Sequence, residues 1–480
     1  MSEDKQYENL ATAQAEVKEE SLTSKMQILV HKAVENTIWR QQECVNLIPS
    51  ENTPSAMVRL LSVMDPCCRY AEHKRVKELN NADVFYYQGT DFIRDVEYAL
   101  EEEMRRFLGC AEVETRLLSG QMVNAVFFSA MVDYLNRADR QSEPRRMRYV
   151  MNNHIIKGGH LSSQPMGSLR DYVAREPKTG KPAVVNFPVQ EENPYRIELA
   201  ACQELLETYK PELIIFGKSM VLHPEPIAAM REMVEAIGLD TVIMYDMAHV
   251  LGLVGPHFQD PFVEGVDVVT GSTHKTYFGT QRGIISSSFD EKHERRSLWE
   301  AVRRRSFPGS LSNHHLGTML GLLAAAYEMN TFKDEYQPRV LKNAKAFASA
   351  LHESGMDVQG DPAVQFTETH QVMLKVGHGK GIKMAQRLEE NNIIANYQAT
   401  PREEGFAEAD AIRMGTQEMT RFGMQEKDFQ TLAQFMREII IKNHSVREEV
   451  KAFRQQFLDM QFCFTGKEFD TVMEKLYQLI

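Results

Sequence analysis

The sequence predicts an α/β protein in which a large domain built on a mostly parallel sheet is followed by a smaller C-terminal α+β domain. Two observations carry this. Between about residues 111 and 288, short apolar runs alternate with polar stretches of helical period. Leu213-Ile214-Ile215-Phe216, Val242-Ile243-Met244-Tyr245 and Val266-Asp267-Val268-Val269 each read as a buried strand. After Pro308 the texture turns helical from about His315 to Met329 and on through Val340, Leu341, Ala344, Phe347, Ala348 and Leu351, with Gly355 as the stop.

Taken in order, the first two dozen residues lack apolar periodicity and read as a mobile arm leading into a helix from about Lys25 to Cys44. The alternating region follows. In the last part, Gln371 to Val376 is a strand candidate, helices are expected near 381–391 and 426–442, and a charged helical tail begins near Ser445. These spans divide the chain into an N-terminal arm and helix (1–60), a large domain (61–312) and a small domain with its helical tail (313–480).

The 480 residues include 43% hydrophobic, 25% charged and 9% aromatic side chains, an ordinary globular composition that excludes disordered and collagenous chains. A formal charge of −12 argues against a dedicated nucleic-acid binder, because polyphosphate affinity needs clustered excess cation. The six cysteines form no CxxC pair and no metal-ligand spacing, so neither a metal site nor a disulfide framework is expected and a reducing compartment is. The N-terminus is polar and acidic and the longest apolar run, Leu316 to Tyr327, is too short for a bilayer, so a cytoplasmic protein without membrane contact is expected.

The chemistry concentrates at two strand ends. Tyr245-Asp246-Met247-Ala248-His249 closes one buried run, and Gly271-Ser272-Thr273-His274-Lys275-Thr276 follows the next. Ligands of α/β sheets bind at the carboxyl ends of strands, and an acid beside a lysine there suits pyridoxal phosphate. That cofactor needs an amine for its Schiff base and a carboxylate to keep its ring nitrogen protonated. The simpler reading of such a pair alone is a rim salt bridge.

Nine motifs in order raise the first reading: NLIPSEN (46–52), RYAE (69–72), YYQG (86–89), LLSG (117–120), GGHL (158–161), DMAH (246–249), THKT (273–276), FPG (307–309) and IRMGTQEMTRFG (412–423). With them the chain, over about Leu47 to Phe435, resembles the serine hydroxymethyltransferases and their aldolase and transaldolase relatives among the fold-type I pyridoxal phosphate enzymes. The resemblance implies that Lys275 carries the cofactor and that Asp246 pairs with its ring nitrogen. It sets His160 on the ring face, His249 and Ser219 near the phenolic oxygen, and His274 in the same shell. Ser119 and Gly120 are implied phosphate ligands at a helix N-terminus, with Gln121 standing where the family has a small hydroxyl residue.

The same resemblance gives Arg413 and Ser50 the amino acid's α-carboxylate, since a guanidinium fork suits a bidentate partner. Tyr70, Glu72 and Tyr87 match active-site residues that enter from a partner subunit, with Glu72 as general acid/base, and Gly309 approaches the neighbour's phosphate. A homodimer, or a dimer of dimers, with shared sites is implied. The implied reaction makes or breaks the Cα–Cβ bond of a β-hydroxy amino acid through a glycine quinonoid, with Lys275, Glu72, Tyr70 and His249 as the catalytic set.

Departures from the family pattern gather around the second substrate. The loop after Glu72 is long and charged (73–81), the stretch 152–157 is longer, and Gln281 stands where an arginine is usual. FPG runs into Ser310-Leu311-Ser312-Asn313, and Asn396-Tyr397-Gln398 replaces a pterin-holding segment. FTETHQVMLKVG (366–377) and the C-terminal helices look more like the threonine transaldolases, whereas Tyr70-Ala71-Glu72 is intact as in the folate enzymes. The acceptor is therefore open between tetrahydrofolate and an aldehyde. The alternatives are a folate-independent L-threonine aldolase or transaldolase, a related pyridoxal phosphate reaction, and, more remotely, a non-catalytic scaffold. Against the last, Lys275, Asp246, His160, Arg413 and Glu72 are all present.

Overall fold

The computed structural model describes residues 21–76, 82–139, 141–401 and 409–479; the expected N-terminal arm and most of the loop after Val76 lie outside the described residues. Seven strands form the main sheet. Their spatial order is Glu112–Glu114, Gly283–Ser287, Val268–Ser272, Val242–Asp246, Leu213–Phe216, Val150–Asn152 and Val184–Asn186. From Val268–Ser272 onward every pairing is parallel, and Gly283–Ser287 is the antiparallel strand between that block and Glu112–Glu114.

The continuous apolar runs follow from helices covering both faces of this sheet. Leu213, Ile215, Val242 and Met244 point into one core, with the helices Gly120–Leu135 and Arg296–Ser306. Ile214, Phe216, Ile243 and Tyr245 point into the other, with Asp91–Leu108 and Ile227–Ile237. Alternate side chains thus face opposite layers, as the pleat requires.

The helix Leu316–Glu353 joins two regions of core and contains Pro338 without interruption. Leu316 to Val340 pack into the large core, while Ala344, Phe347 and Leu351 pack into a second one. That second core lies under a four-stranded antiparallel sheet, ordered Asp357–Gln359, Gln371–Lys375, Ala411–Gly415 and Asn396–Gln398. Val45 and Leu47 enter it from the far end of the chain, because Val45–Asn46 pairs in parallel with Ile393–Ile394.

The predicted strands at 213 and 242 form where expected. The third begins at Val268, because the Asp267 carboxylate turns to Arg231, Arg295 and the amide of Ile243. The two helical stretches expected after Pro308 are one helix of 38 residues, which ends before Gly355 at φ 85°. The first helix is Leu22–Ile38, continued by one wider turn at Trp39–Glu43, and the tail comprises Arg447–Arg454 and Lys467–Tyr477.

Phe347 is fully buried against Phe429, with ring centroids 5.5 Å apart. Phe347→Ala is expected to destabilise the second core by about 3–5 kcal/mol, read as a lower urea midpoint by circular dichroism.

Candidate active site

The site is built outward from one carboxylate. Asp246 ends the strand Val242–Asp246, and the parallel register sets it beside Thr270, so Asp246 and the turn at 273–276 leave the same edge of the sheet. Gly217 makes room: at φ 152° it passes so close that a Cβ there would lie 2.8 Å from the Asp246 Cβ. Asp246 Oδ2 accepts from Asn124 Nδ2 at 2.8 Å and Ser162 Oγ at 3.1 Å, and His160 Nδ1 stands 2.5 Å away. The Asn124 carbonyl accepts from Thr270 Oγ1 at 2.8 Å, which turns its amide toward the carboxylate. Burial pushes the Asp246 carboxyl upward, but His160, Asn124 and Lys275 outweigh it and hold the group at about 2.

Lys275 lies on a turn pinned from three sides. Thr273 Oγ1 donates to the Thr280 carbonyl, Thr276 Oγ1 to that of His249, and Tyr336 Oη to that of Thr276. Gly252 allows the close approach, since a Cβ there would fall 2.2 Å from the Thr276 main chain. Burial lowers the Lys275 ammonium to about 8; Asp246 raises it and Arg413 lowers it further.

Three imidazoles surround this pair, and burial pushes all three down. His249 falls well below its ordinary range, His274 to about 4 and His370 to about 3, with Lys275 and other neighbouring cations adding to the effect. All are neutral at pH 7. His370 Nε2 donates to the Pro49 carbonyl at 3.1 Å, and the Nδ1 atoms of His249, His274 and His370 are buried with no partner among the described residues. His160 and His249 meet edge-on at 5.7 Å.

Arg413 reaches the site from the small sheet. Its strand, Ala411–Gly415, is fully buried, and its Nη1 donates to the Ser219 carbonyl at 2.6 Å. Burial lowers the guanidinium to about 10, so it keeps its charge, and no carboxylate pairs with it among the described residues. A buried cation in this condition calls for an anionic partner. The segment carrying Ser50 is fastened to the same strand, because the Gly415 amide donates to the Leu47 carbonyl at 2.7 Å. Ser50, His274 and Gln281 line one cleft of about 410 Å³.

Ser119 caps the helix Gly120–Leu135 by accepting from the Met122 amide, and Ser119 and Gln121 are both exposed at its start. A helix N-terminus with free amides beside the strand that leads to Lys275 is a phosphate cradle by its dipole and donors.

The fold thus gathers Lys275, Asp246, His160, His249, His274, Ser219, Arg413 and Ser50 around adjoining edges of the two sheets. It does not bring Tyr70, Glu72, Tyr87 or Gly309 to them. Tyr70 and Tyr87 pack on each other, 51% and 42% exposed, with centroids 5.3 Å apart. Tyr70 lines a separate apolar cleft, the Glu72 carbonyl accepts from the Tyr86 amide, and Gly309 lies on an exposed turn. Sequence reasoning missed Asn124, Ser162 and His370. The one available signal was a polar Asn in an otherwise apolar helix face.

These groups fit pyridoxal phosphate. They offer a lysine amine of lowered basicity, a carboxylate that stays ionised, an anion-seeking helix terminus and three buried imidazole nitrogens without partners among the described residues.

Comparison with known proteins agrees with this chemistry. The sequence model of the serine hydroxymethyltransferase family matches residues 24–436. The serine hydroxymethyltransferase of Staphylothermus marinus is 34% identical over 444 residues, covering 91% of this chain and 93% of that one. That of Archaeoglobus fulgidus is 35% identical over 446 residues, covering 92% and 93%. Among solved structures, an L-threonine transaldolase from Pseudomonas fluorescens in its internal aldimine state shares the fold, with a TM-score of 0.79 over 94% of this chain and 98% of that one at 24% identity.

In cofactor-free protein the Lys275 amine is expected to be reductively methylated with a half-point at about pH 8. Asp246→Asn removes the charge that raises it and should move the half-point lower, followed by peptide mass spectrometry across pH; a half-point near 10.5, or an upward move in the variant, contradicts the electrostatics described.

Proposed function

The chain belongs to the serine hydroxymethyltransferase family, and from that premise we propose how its residues divide the work. It is a pyridoxal phosphate-dependent transferase that makes or breaks the Cα–Cβ bond of a β-hydroxy amino acid. The bound cofactor supplies a carbonyl carbon for the amino group and a pyridinium ring that takes up the electrons of the broken bond.

Asp246 keeps a proton on the ring nitrogen, and its low pKa means that it stays ionised across the physiological range. Lys275, held at about 8, is a cation at neutral pH but gives up its proton far more readily than an ordinary lysine. His160 covers the ring face, and Ser219 and neutral His249 serve its phenolic oxygen with dipoles and no competing charge. His274 completes that shell. Ser119, Gly120 and Gln121 hold the phosphate at the helix start.

Arg413, assisted by Ser50, binds the α-carboxylate. The observation that carries this reading is the buried guanidinium that lacks a carboxylate among the described residues. Fixing the carboxylate fixes rotation about Cα, so the bond to be broken is held across the ring. Glu72 then holds the proton of the β-hydroxyl, with Tyr70 and Tyr87 beside it, all three contributed by a partner subunit together with Gly309. The separation of these four from Lys275 within one chain supports a homodimer or a dimer of dimers.

No helix among the described residues is long and apolar enough to cross a membrane, and a cytoplasmic location is proposed from the six cysteines, all of which are free, as a reducing compartment keeps them. For the acceptor, tetrahydrofolate follows from the family, and an aldehyde with L-threonine as donor follows from the altered segments around 73–81, Gln281, 310–313 and 396–398.

Glycine release from L-serine with and without tetrahydrofolate, measured beside release from L-threonine with and without an aromatic aldehyde, separates the two acceptors: folate dependence establishes the first and folate-independent threonine turnover the second. Arg413→Ala should weaken amino-acid binding on the order of 10²-fold, as loss of a buried charge-assisted pair implies, while cofactor absorbance stays. Unchanged amino-acid affinity would sink the carboxylate assignment.

A further inference from the structure

Glu97, on the helix Asp91–Leu108, is buried and holds two histidines at once. His73 Nε2 lies 3.3 Å from its Oε2, and its Oε1 is hydrogen-bonded to His314 Nε2. His73 immediately follows Glu72, and His314 closes the stretch that follows Phe307-Pro308-Gly309. Two of the segments in which the sequence leaves its family pattern therefore meet at one carboxylate, through His73 at the start of 73–81 and His314 directly after 310–313. They are joined a second time where Asn313 Nδ2 donates to the Arg69 carbonyl at 2.8 Å.

The imidazole of His73 reaches both ways. Its Nδ1 lies 3.1 Å from the Ala71 carbonyl, which can only accept, so that nitrogen carries a proton. Its ring stacks on Phe85 at 4.4 Å and meets His314 edge-on at 6.2 Å. His314, which burial and the nearby arginines lower to about 3, is neutral and donates from Nε2 to Glu97. Burial raises Glu97 to about 7, so its carboxyl gains and loses a proton near neutral pH. Glu72 directly precedes His73 in the chain, so the residue that the clamp holds is the neighbour of the proposed acid.

The hairpin His73–Val76 with Ala82–Phe85 belongs to neither large sheet. A lone two-stranded hairpin is marginal in water, and the Glu97–His73 contact is its buried polar tether. An apolar contact would bury that surface at less cost than three polar groups do, but it would not set the direction of the Ala71 carbonyl.

We propose that His73, Glu97 and His314 are positioning residues: a buried polar clamp that sets Tyr70-Ala71-Glu72 and couples that segment to the turn at 307–313, so that both are presented together to the neighbouring site. The inference rests on the proposed acid/base role of Glu72.

The test uses full-length, cofactor-loaded enzyme with whichever of L-serine or L-threonine it turns over. It measures kcat per cofactor-bearing chain and the amino acid's Kd from cofactor absorbance. Glu97→Met, which keeps volume and removes the clamp, should lower kcat on the order of 10²-fold, the cost of misplacing a catalytic group by about 1 Å, with Kd unchanged. Glu97→Gln, whose amide can accept from His314 and donate to His73, should retain kcat within about threefold, a difference well under 1.4 kcal/mol. His73→Phe keeps the stack on Phe85 and supplies a second variant if Glu97→Met does not fold; it too should lose kcat and not Kd. Glu72→Gln run beside them separates the two ideas. Loss of turnover in Glu72→Gln with full kcat in Glu97→Met and His73→Phe, or equal loss in Glu97→Gln and Glu97→Met, overturns the clamp and leaves Glu72 in its role. Full turnover in Glu72→Gln overturns both.

Discussion

A buried, ionised Asp246 is the constraint around which the rest of the site is arranged. A carboxylate at the end of a central strand is stable in that form only if donors surround it. Asn124, Ser162 and His160 supply them, the first from a helix and the other two from one short segment far from it in sequence. Asn124 belongs to a helix whose other face is core, and Thr270 orients its amide from the next strand. The chemistry therefore depends on the packing of that helix against the sheet.

The charge balance around this carboxylate is uneven by design of the fold. Lys275 and Arg413 are both cations in a poorly hydrated region, and Asp246 is the acid that acts on Lys275. The histidines between them stay neutral and add no charge. A site of this kind favours a carboxylate at Arg413, which relieves a desolvated cation, and an anionic group at the start of the helix Gly120–Leu135. Family membership and site electrostatics thus point to one ligand pair from independent directions.

Much of this was legible in the sequence. Runs of four apolar residues at 213 and 242 marked strands covered on both faces, and the ordered motifs placed Asp246 and Lys275 at strand ends. What was not legible has a common character. Asn124 meets Asp246 across 122 positions, and His314 meets Glu97 across 217. No local periodicity encodes a contact at that separation. The departures at 73–81 and 310–313 were visible as two unrelated oddities, and only the folded chain shows that both end on Glu97.

By itself the sequence determined the α/β class, through strand periodicity, and pointed to the family and its cofactor through the resemblance that its ordered motifs carry; the amine, acid and guanidinium proposed for the site follow from that resemblance. Tertiary structure alone decided how the charges are tuned: which donors hold Asp246 ionised, which burial lowers Lys275, and why the buried Arg413 calls for an anion. The physical reason is that pKa and hydrogen bonding depend on the solvent excluded and on neighbours in space, and these are properties of packing between segments distant along the chain.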